Sequence, residues 1–248
     1  MPDDPAFVRA VAERPEDDAP RLIYADVLEE SGEEAKQARA EFIRVQIEKH
    51  HLQPHTPRWN ELWRRDSALL DWARRWRAEL PPLPGITWGG FRRGFLDKIE
   101  TSGDLYAAHG TVIHAHIPVR DLFLGNLTTA QAETIGQNPD LVVVRNLRIV
   151  NYGDLVEAAP APTTRRRGRS TPIIRVQKAE TLWAICRWPE LPNLASFDLQ
   201  LYTRADYEYH LRHQNTYSFS TPPNDWLQTI EACEVLRQKF KEKLVAAR

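Results

Sequence analysis

The feature that most limits how this chain can fold is a spacing. Three segments line up: VRDLFLGNL from Val119, VRNLRIVNY from Val144 and LASFDLQLY from Leu194. The first two begin 25 residues apart, and the third begins 50 later, twice that step. Leu122, Leu147 and Phe197 become equivalent, as do Leu124, Ile149 and Leu199, with Ile99 one step before Leu124. Apolar residues two apart in each copy describe a short strand with one buried face, because side chains alternate across a strand. Helix-like segments lie between the copies, at 104–116, 128–137 and 178–187. Thr128 with Gln131 three residues on forms a capping box that opens the second. One strand and one helix every 25 residues is the arithmetic of a leucine-rich repeat. The asparagine ladder of that repeat is mostly missing, with only Asn126 and Asn151 hinting at it. The expected fold is therefore α/β: a helical front end, a short degenerate leucine-rich-repeat-like parallel sheet with outer helices, and a helical cap. An α+β arrangement, or an irregular α/β domain that shares this spacing, stays open.

The copy expected near residue 172 is interrupted. EAAPAPTTRRRGRSTP (157–172) holds too little apolar surface to order itself and reads as a mobile surface loop. Ile173, Ile174 and Val176 then resume a strand. Beyond Leu201 the repeat stops, and Thr203 with Asp206 can cap a short helix through Leu211. Asn224 opens a last helix with Trp226, Ile230, Cys233, Leu236, Phe240 and Leu244 on one face, suited to cover the open end of the sheet.

The front end is helical. Asp4 and Pro5 start a first helix with Phe7, Ala10 and Val11 as its face. Asp17 and Asp18 precede a second, with Pro20 in its first turn. Leu22, Ile23, Ala25, Val27 and Leu28 suggest a wide apolar face, and Gly32 a left-handed stop. Phe42, Ile43, Val45 and Ile47 belong to a third. Asp26 falls near the apolar side, where a cap or an ion pair with Arg39 or Arg44 is expected; no second group supports a catalytic carboxylate.

These residues also carry a likeness. Pro15, Asp17, Asp18, Pro20, Arg21 and Leu22 spell P-x-D-D-x-P-R-L. Tyr24, Ala25, Asp26, Leu28, Glu29 and Glu30 spell Y-A-D-x-L-E-E. Arg39, Glu41, Phe42, Ile43, Arg44 and Gln46 spell R-x-E-F-I-R-x-Q. Together they resemble the bacterial repeat-companion domain, a helical module that usually precedes leucine-rich-type repeats. Where the family usually has Trp, this chain has Val27. The resemblance covers about the first fifth of the chain and implies architecture rather than a reaction.

The chain divides on this reading into a helical module at 1–50, a linker and long helix at 51–85, a repeat-like region at 86–202 and a helical cap at 203–248. HLQPHTP (51–57) is the linker. The long helix, from about Pro57 to Leu80, places Trp59, Leu62, Trp63, Leu69, Leu70, Ala73, Trp76 and Leu80 on one face. Its arginines take the other side, and PPLPG (81–85) ends it. From Ile86 the chain reads as extended, broken at Arg92-Arg93-Gly94, with a strand from Phe95 to Glu100.

Net charge is −1 over 248 residues, which points to no nucleic-acid partner. The distribution is uneven: residues 1–41 carry twelve acids against five bases, and residues 58–93 eight arginines against four acids. Two cysteines make no disulfide framework, no secretory signal is visible, and no stretch is apolar enough to span a membrane. A soluble protein of the reducing cytoplasm is expected. The histidines (50, 51, 55; 109, 114, 116; 210, 213) lack metal-site spacing; His210 and His213 would need a third ligand from elsewhere. No serine elbow or phosphate loop appears, and Cys186 sits on an apolar helix face. No catalytic residue, metal or cofactor is expected.

What remains is a surface. With Leu122, Leu124 and their equivalents facing inward, Lys98, Phe123, Arg148 and Asp198 project from the open face of the sheet. Asp121, Asn146, Ser196 and Gln200 flank them. Phe beside Arg is a composition that interface centres favour, unless Phe123 is covered by another part of the chain. The expected function is a protein–protein adaptor without catalytic activity. The alternative is a nucleic-acid-associated subunit of a larger bacterial complex, gripping phosphates through Arg165, Arg166, Arg167 and Arg169 together with the arginines of 58–93 and the C-terminal lysines.

Overall fold

The computed structural model describes residues 3–150, 154–157, 173–176, 179–199 and 226–244. The fold is α/β, with a five-stranded mixed sheet. Helices α1 (Pro5–Glu13), α2 (Ala19–Glu30), α3 (Glu34–His50), α4 (Pro57–Ala68) and α5 (Leu70–Ala78) come first. Strands β1 (Thr87–Trp88), β2 (Phe91–Arg92), β3 (Phe95–Leu96) and β4 (Lys98–Ser102) follow, then α6 (Gly103–His116), β5 (Asp121–Gly125), α7 (Thr129–Gly136) and β6 (Asn146–Val150). After β7 (Asp154–Glu157) and β8 (Ile173–Val176) come α8 (Ala179–Cys186), β9 (Ser196–Leu199) and α9 (Trp226–Phe240). The sheet order is β1-β4-β5-β6-β9, while β2–β3 and β7–β8 form separate two-stranded ribbons. The contacts divide the chain into two compact units, Met1–Glu100 with His109–Leu122 and Thr101–Ala108 with Phe123–Arg248.

In the first unit, Asp4 caps α1 by accepting from the Ala6 amide at 2.8 Å, and Asp17 accepts from the Ala19 amide at 2.9 Å. Gly32 stops α2 at φ +70°. The buried side of α2 is not the one its aliphatic residues suggest. Tyr24, Ala25, Leu28 and Arg21 face inward, while Leu22, Ile23 and Val27 lie exposed. Arg21 turns inward because its guanidinium donates to the carbonyls of Asp17 and Pro15, so a charged residue takes a place that periodicity assigns to an aliphatic one. Asp26 likewise lies outside and pairs with Arg44 at 2.6 Å, while Arg39 pairs with Asp3. The helix expected over 57–80 is two helices, broken at Leu69, whose ψ of 1° departs from helical geometry. The break turns Leu69, Ala73 and Trp76 inward and leaves Trp63 and Leu70 outside.

Two clusters fill this unit. One holds Val11, Tyr24, Ala25, Leu28, Ala40, Ile43, Ile47 and Phe95; the other holds Phe42, Leu69, Ala73 and Trp76 with Phe91 against it. The β2–β3 ribbon supplies one phenylalanine to each. Its turn, Arg93 at φ +48° and Gly94 at φ +87°, has the two positive φ angles of a type I′ hairpin. A Cβ on Gly94 would lie 2.8 Å from the Ile43 Cα, so the turn presses directly on α3. The single strand expected from Phe95 to Glu100 is divided at Asp97, whose carbonyl accepts from the amides of Arg120 and Asp121.

In the second unit β6 and β9 are parallel, with Asn146 opposite Ser196, Leu147 opposite Phe197, Arg148 opposite Asp198 and Ile149 opposite Leu199. Each pair is 50 residues apart, so the double step holds to the residue. Leu122, Leu124, Leu147, Ile149, Phe197 and Leu199 are all buried. Strand β8 does not occupy the place expected of a resumed repeat. It pairs antiparallel with β7 instead, outside the main sheet. The Thr128–Gln131 capping box forms as expected. Asn126 is no ladder residue: it is exposed, at φ +56°, in the turn after β5. Helix α8 packs on α7 and on α9, and the Phe240 ring meets Phe197 edge-on at 4.8 Å. Leu244 then bridges to Phe197 in a parallel sense, so the end of the described chain lies along the free edge of β9. The helix expected at 203–211, Asn224, Asn151 and the loop at 158–172 lie outside the described residues.

Candidate interaction face

Strands β5, β6 and β9 alternate buried and accessible residues along their length. The accessible positions bring Phe123, Arg148 and Asp198 into a row. The Arg148 Nε donates to Asp198 at 3.0 Å, and its Cζ lies 5.2 Å from the Phe123 ring centroid. Phe123 is half-buried and Arg148 is exposed. One guanidinium thus joins an aromatic ring on one side to a carboxylate on the other, in a fixed order. Beside the row, Ser196 and Asn146 bond through their side chains at 2.7 Å. That bond sits two positions before the Arg148–Asp198 pair in the same register.

Of the other expected site residues, Lys98 and Asp121 have contacts of their own. Lys98, exposed on β4, pairs with Glu100 at 2.7 Å. Asp121 is half-buried, and its amide donates to the Asp97 carbonyl at 2.9 Å. Burial pushes the Asp97 carboxyl above the usual carboxylate range, and the Asp121 charge adds to that shift while Arg92 opposes it. Gln200 and Arg165, Arg166, Arg167 and Arg169 lie outside the described residues, as do His210 and His213.

Of the eight arginines between 58 and 93, seven are engaged within the chain. Arg58 pairs with Glu48 and Glu61, Arg65 with Glu41, and Arg74 with Asp71. Arg75 lies over the Trp72 ring, and Arg77 donates to the carbonyls of Trp88 and Gly89. Arg92 pairs with Asp97. Arg93 pairs with Asp18 at 3.0 Å and donates to the carbonyls of Glu16 and Pro15. Arg58, Arg65 and Arg74 keep exposed side chains in these pairs, while Arg93 is buried.

Sequence reading takes 92–94 as a break, yet this turn sits in a dedicated socket. The Pro15 carbonyl receives both Arg21 and Arg93, the Asp18 carboxylate receives Arg93, and the Gln46 amide oxygen accepts from the Gly94 amide at 2.9 Å. The signal was available in the arginine–glycine pair flanked by phenylalanines. Arg39, buried, donates twice to Asp3 and lies within 6 Å of the Phe42, Trp76, Phe91 and Phe95 rings. Its Nη1 has no protein partner, and it lines a cavity of about 20 Å³, room for a single water rather than a substrate. Burial pushes the Cys186 thiol up to about 11, which keeps it protonated at neutral pH. Among the described residues no three His, Cys, Asp or Glu side chains group to hold a metal ion, and no helix is long and apolar enough to cross a membrane. The chain matches no known family model, and neither a curated protein nor a solved structure matches it.

Proposed function

We propose that this chain is a protein–protein interaction module, an adaptor without catalytic activity, that docks a partner on the accessible side of β5, β6 and β9. The observation that carries the reading is the Phe123–Arg148–Asp198 row. Arginine and aromatic residues dominate the energetics of protein interfaces, and here the guanidinium is already held in place, so little side-chain freedom remains to be lost on docking. A partner presenting an apolar group to Phe123 and an acceptor to Arg148 fits the row. The engaged arginines of 58–93 leave little support for a nucleic-acid role from that segment.

The family likeness belongs to the same proposal. The Pro15, Asp18 and Gln46 of its motifs share one job, holding the Arg93–Gly94 turn, and Arg21 donates to the same Pro15 carbonyl. Such a module, placed before a repeat-like sheet, is a scaffold in the cytoplasm of a bacterium.

The test captures partners from the native host with the wild-type chain and with Phe123→Ala and Arg148→Ala, each first matched for thermal stability. Either change is expected to weaken capture of the same protein at least about ten-fold, the loss typical of a hot-spot residue. Arg187→Ala, which removes an exposed pair with Glu133 elsewhere in the unit, is expected to leave capture unchanged. Equal capture by all four proteins sinks the proposal. Binding that instead falls steeply with salt and needs nucleic acid favours the alternative.

A further inference from the structure

Two stripes in the first unit are uncovered, and they complement each other. On α2, Leu22 is 38% exposed, Ile23 55% and Val27 49%. Their three- and four-residue spacing sets them beside Asp26 and Glu30 on one side of the helix. Arg44 pairs with Asp26 and Glu29, but Glu30 has no cation at ion-pair distance among the described residues. The stripe is therefore apolar with an acidic margin. On α4 and α5, Trp63 is 53% exposed and Leu70 48%. Arg64, exposed and without an ion-pair partner among the described residues, adjoins Trp63 and gives this margin its net positive charge, while Arg74, one turn beyond Leu70, is paired with Asp71. This second stripe is apolar with a basic margin. Helix α3 packs against α2 and also against α4 and α5, so the stripes belong to different neighbours of one central helix.

We infer that the two stripes are the halves of one interface, and that the acidic stripe of one molecule receives the basic stripe of a second copy of this chain. Large exposed aliphatic and aromatic residues collected in two stripes on three helices mark contact surfaces rather than scattered surface variation. The margins differ in sign, so each stripe repels its own kind and attracts the other. That disfavours a pairing of like faces and favours contact between unlike stripes. A second copy is preferred to a foreign partner because this chain carries both complementary surfaces. Each stripe is short, about 10 to 12 Å at the rise of a helix. Two or three large apolar residues on each stripe fall well short of the roughly 20 to 30 residues a side of a stable complex, so the association is weak and concentration-dependent. It does not use the Phe123–Arg148–Asp198 row.

The test is sedimentation velocity on the full chain over a wide concentration range, at low and high salt. The weight-average mass is expected to rise above 28.6 kDa with concentration, and to fall back as salt screens the margins. Two variants, Ile23→Ser with Val27→Ser and Trp63→Ser with Leu70→Ser, each change only exposed residues. Each is expected to associate at least about ten-fold more weakly alone, because each keeps only one half of the interface. Mixed together, they are expected to form a dimer and nothing larger, since only one productive contact is left. Should either fold poorly by circular dichroism, the surface changes Glu30→Lys and Arg64→Glu are measured instead; each weakens association alone and the mixture recovers it. A wild-type chain that stays monomeric throughout, or single-stripe variants that self-associate like wild type, overturns the inference.

Discussion

Arg93 holds a backbone conformation that costs an ordinary residue about 1 to 2 kcal/mol. Glycine or asparagine is the usual choice there. Arginine is accommodated because its side chain, 2% exposed, is taken up by Asp18 and by the carbonyls of Pro15 and Glu16. Removing it takes a donor from each of those acceptors and leaves the Pro15 carbonyl with Arg21 alone and Asp18 with His51. Arg93→Ala is expected to destabilise the protein by about 3 kcal/mol, at the low end for a broken buried pair because Asp18 keeps His51. Urea unfolding measures this, and a loss below the level of an ordinary surface substitution contradicts the socket. Beside it, burial and the Arg93 charge, with His51 and Arg92 adding, hold His50 below its ordinary value; Asp18 opposes them. A base depressed in the folded state contributes stability above its unfolded value, near 6.5, and loses it as pH falls through the folded value. The urea midpoint is expected to drop as pH falls below about 6.5, and to drop less in His50→Gln. The socket residues were visible in the sequence as a motif, but their job was not. That job depends on a turn some 75 residues away from Asp18, and local pattern says nothing about such a pairing.

At the scale of elements the 25-residue step was the most legible signal. It predicted the β6–β9 register to the residue, because strand alternation and burial are both short-range properties of the chain. It did not reveal that β8 leaves the main sheet for β7, since four apolar-rich residues fit either pairing. Helix α7 was legible for a different reason. Its capping box is a purely local arrangement, with the Gln131 side chain accepting from the Thr128 amide at 2.9 Å. Thr128→Ala is expected to cost about 1 kcal/mol, read as a lower thermal midpoint, and a neutral result implies that packing against α8 holds the helix without its cap. Helix α2 was misread in its facing because amphipathic counting ranks Ile23 above Arg21 and Tyr24. Tertiary hydrogen bonds reverse that ranking. Of the candidate face, the alternation that put Phe123 and Arg148 on the accessible side was readable, while the guanidinium bridge between ring and carboxylate was not.

At the scale of the molecule the expected boundary at residue 50 cuts through a single body. The cluster around Tyr24 and Ile43 includes Phe95, and the cluster around Phe42 and Trp76 includes Phe91. The helices that carry the recognisable motifs therefore finish their packing only with a ribbon made later in the chain. During synthesis, α1 to α3 leave the ribosome first and wait, their apolar socket open to solvent, until residues 91–96 emerge. Nascent chains halted before that point should bind chaperones, and those halted well past it should resist proteolysis. The order of translation, and not only the final set of contacts, thus bears on whether this fold is reached.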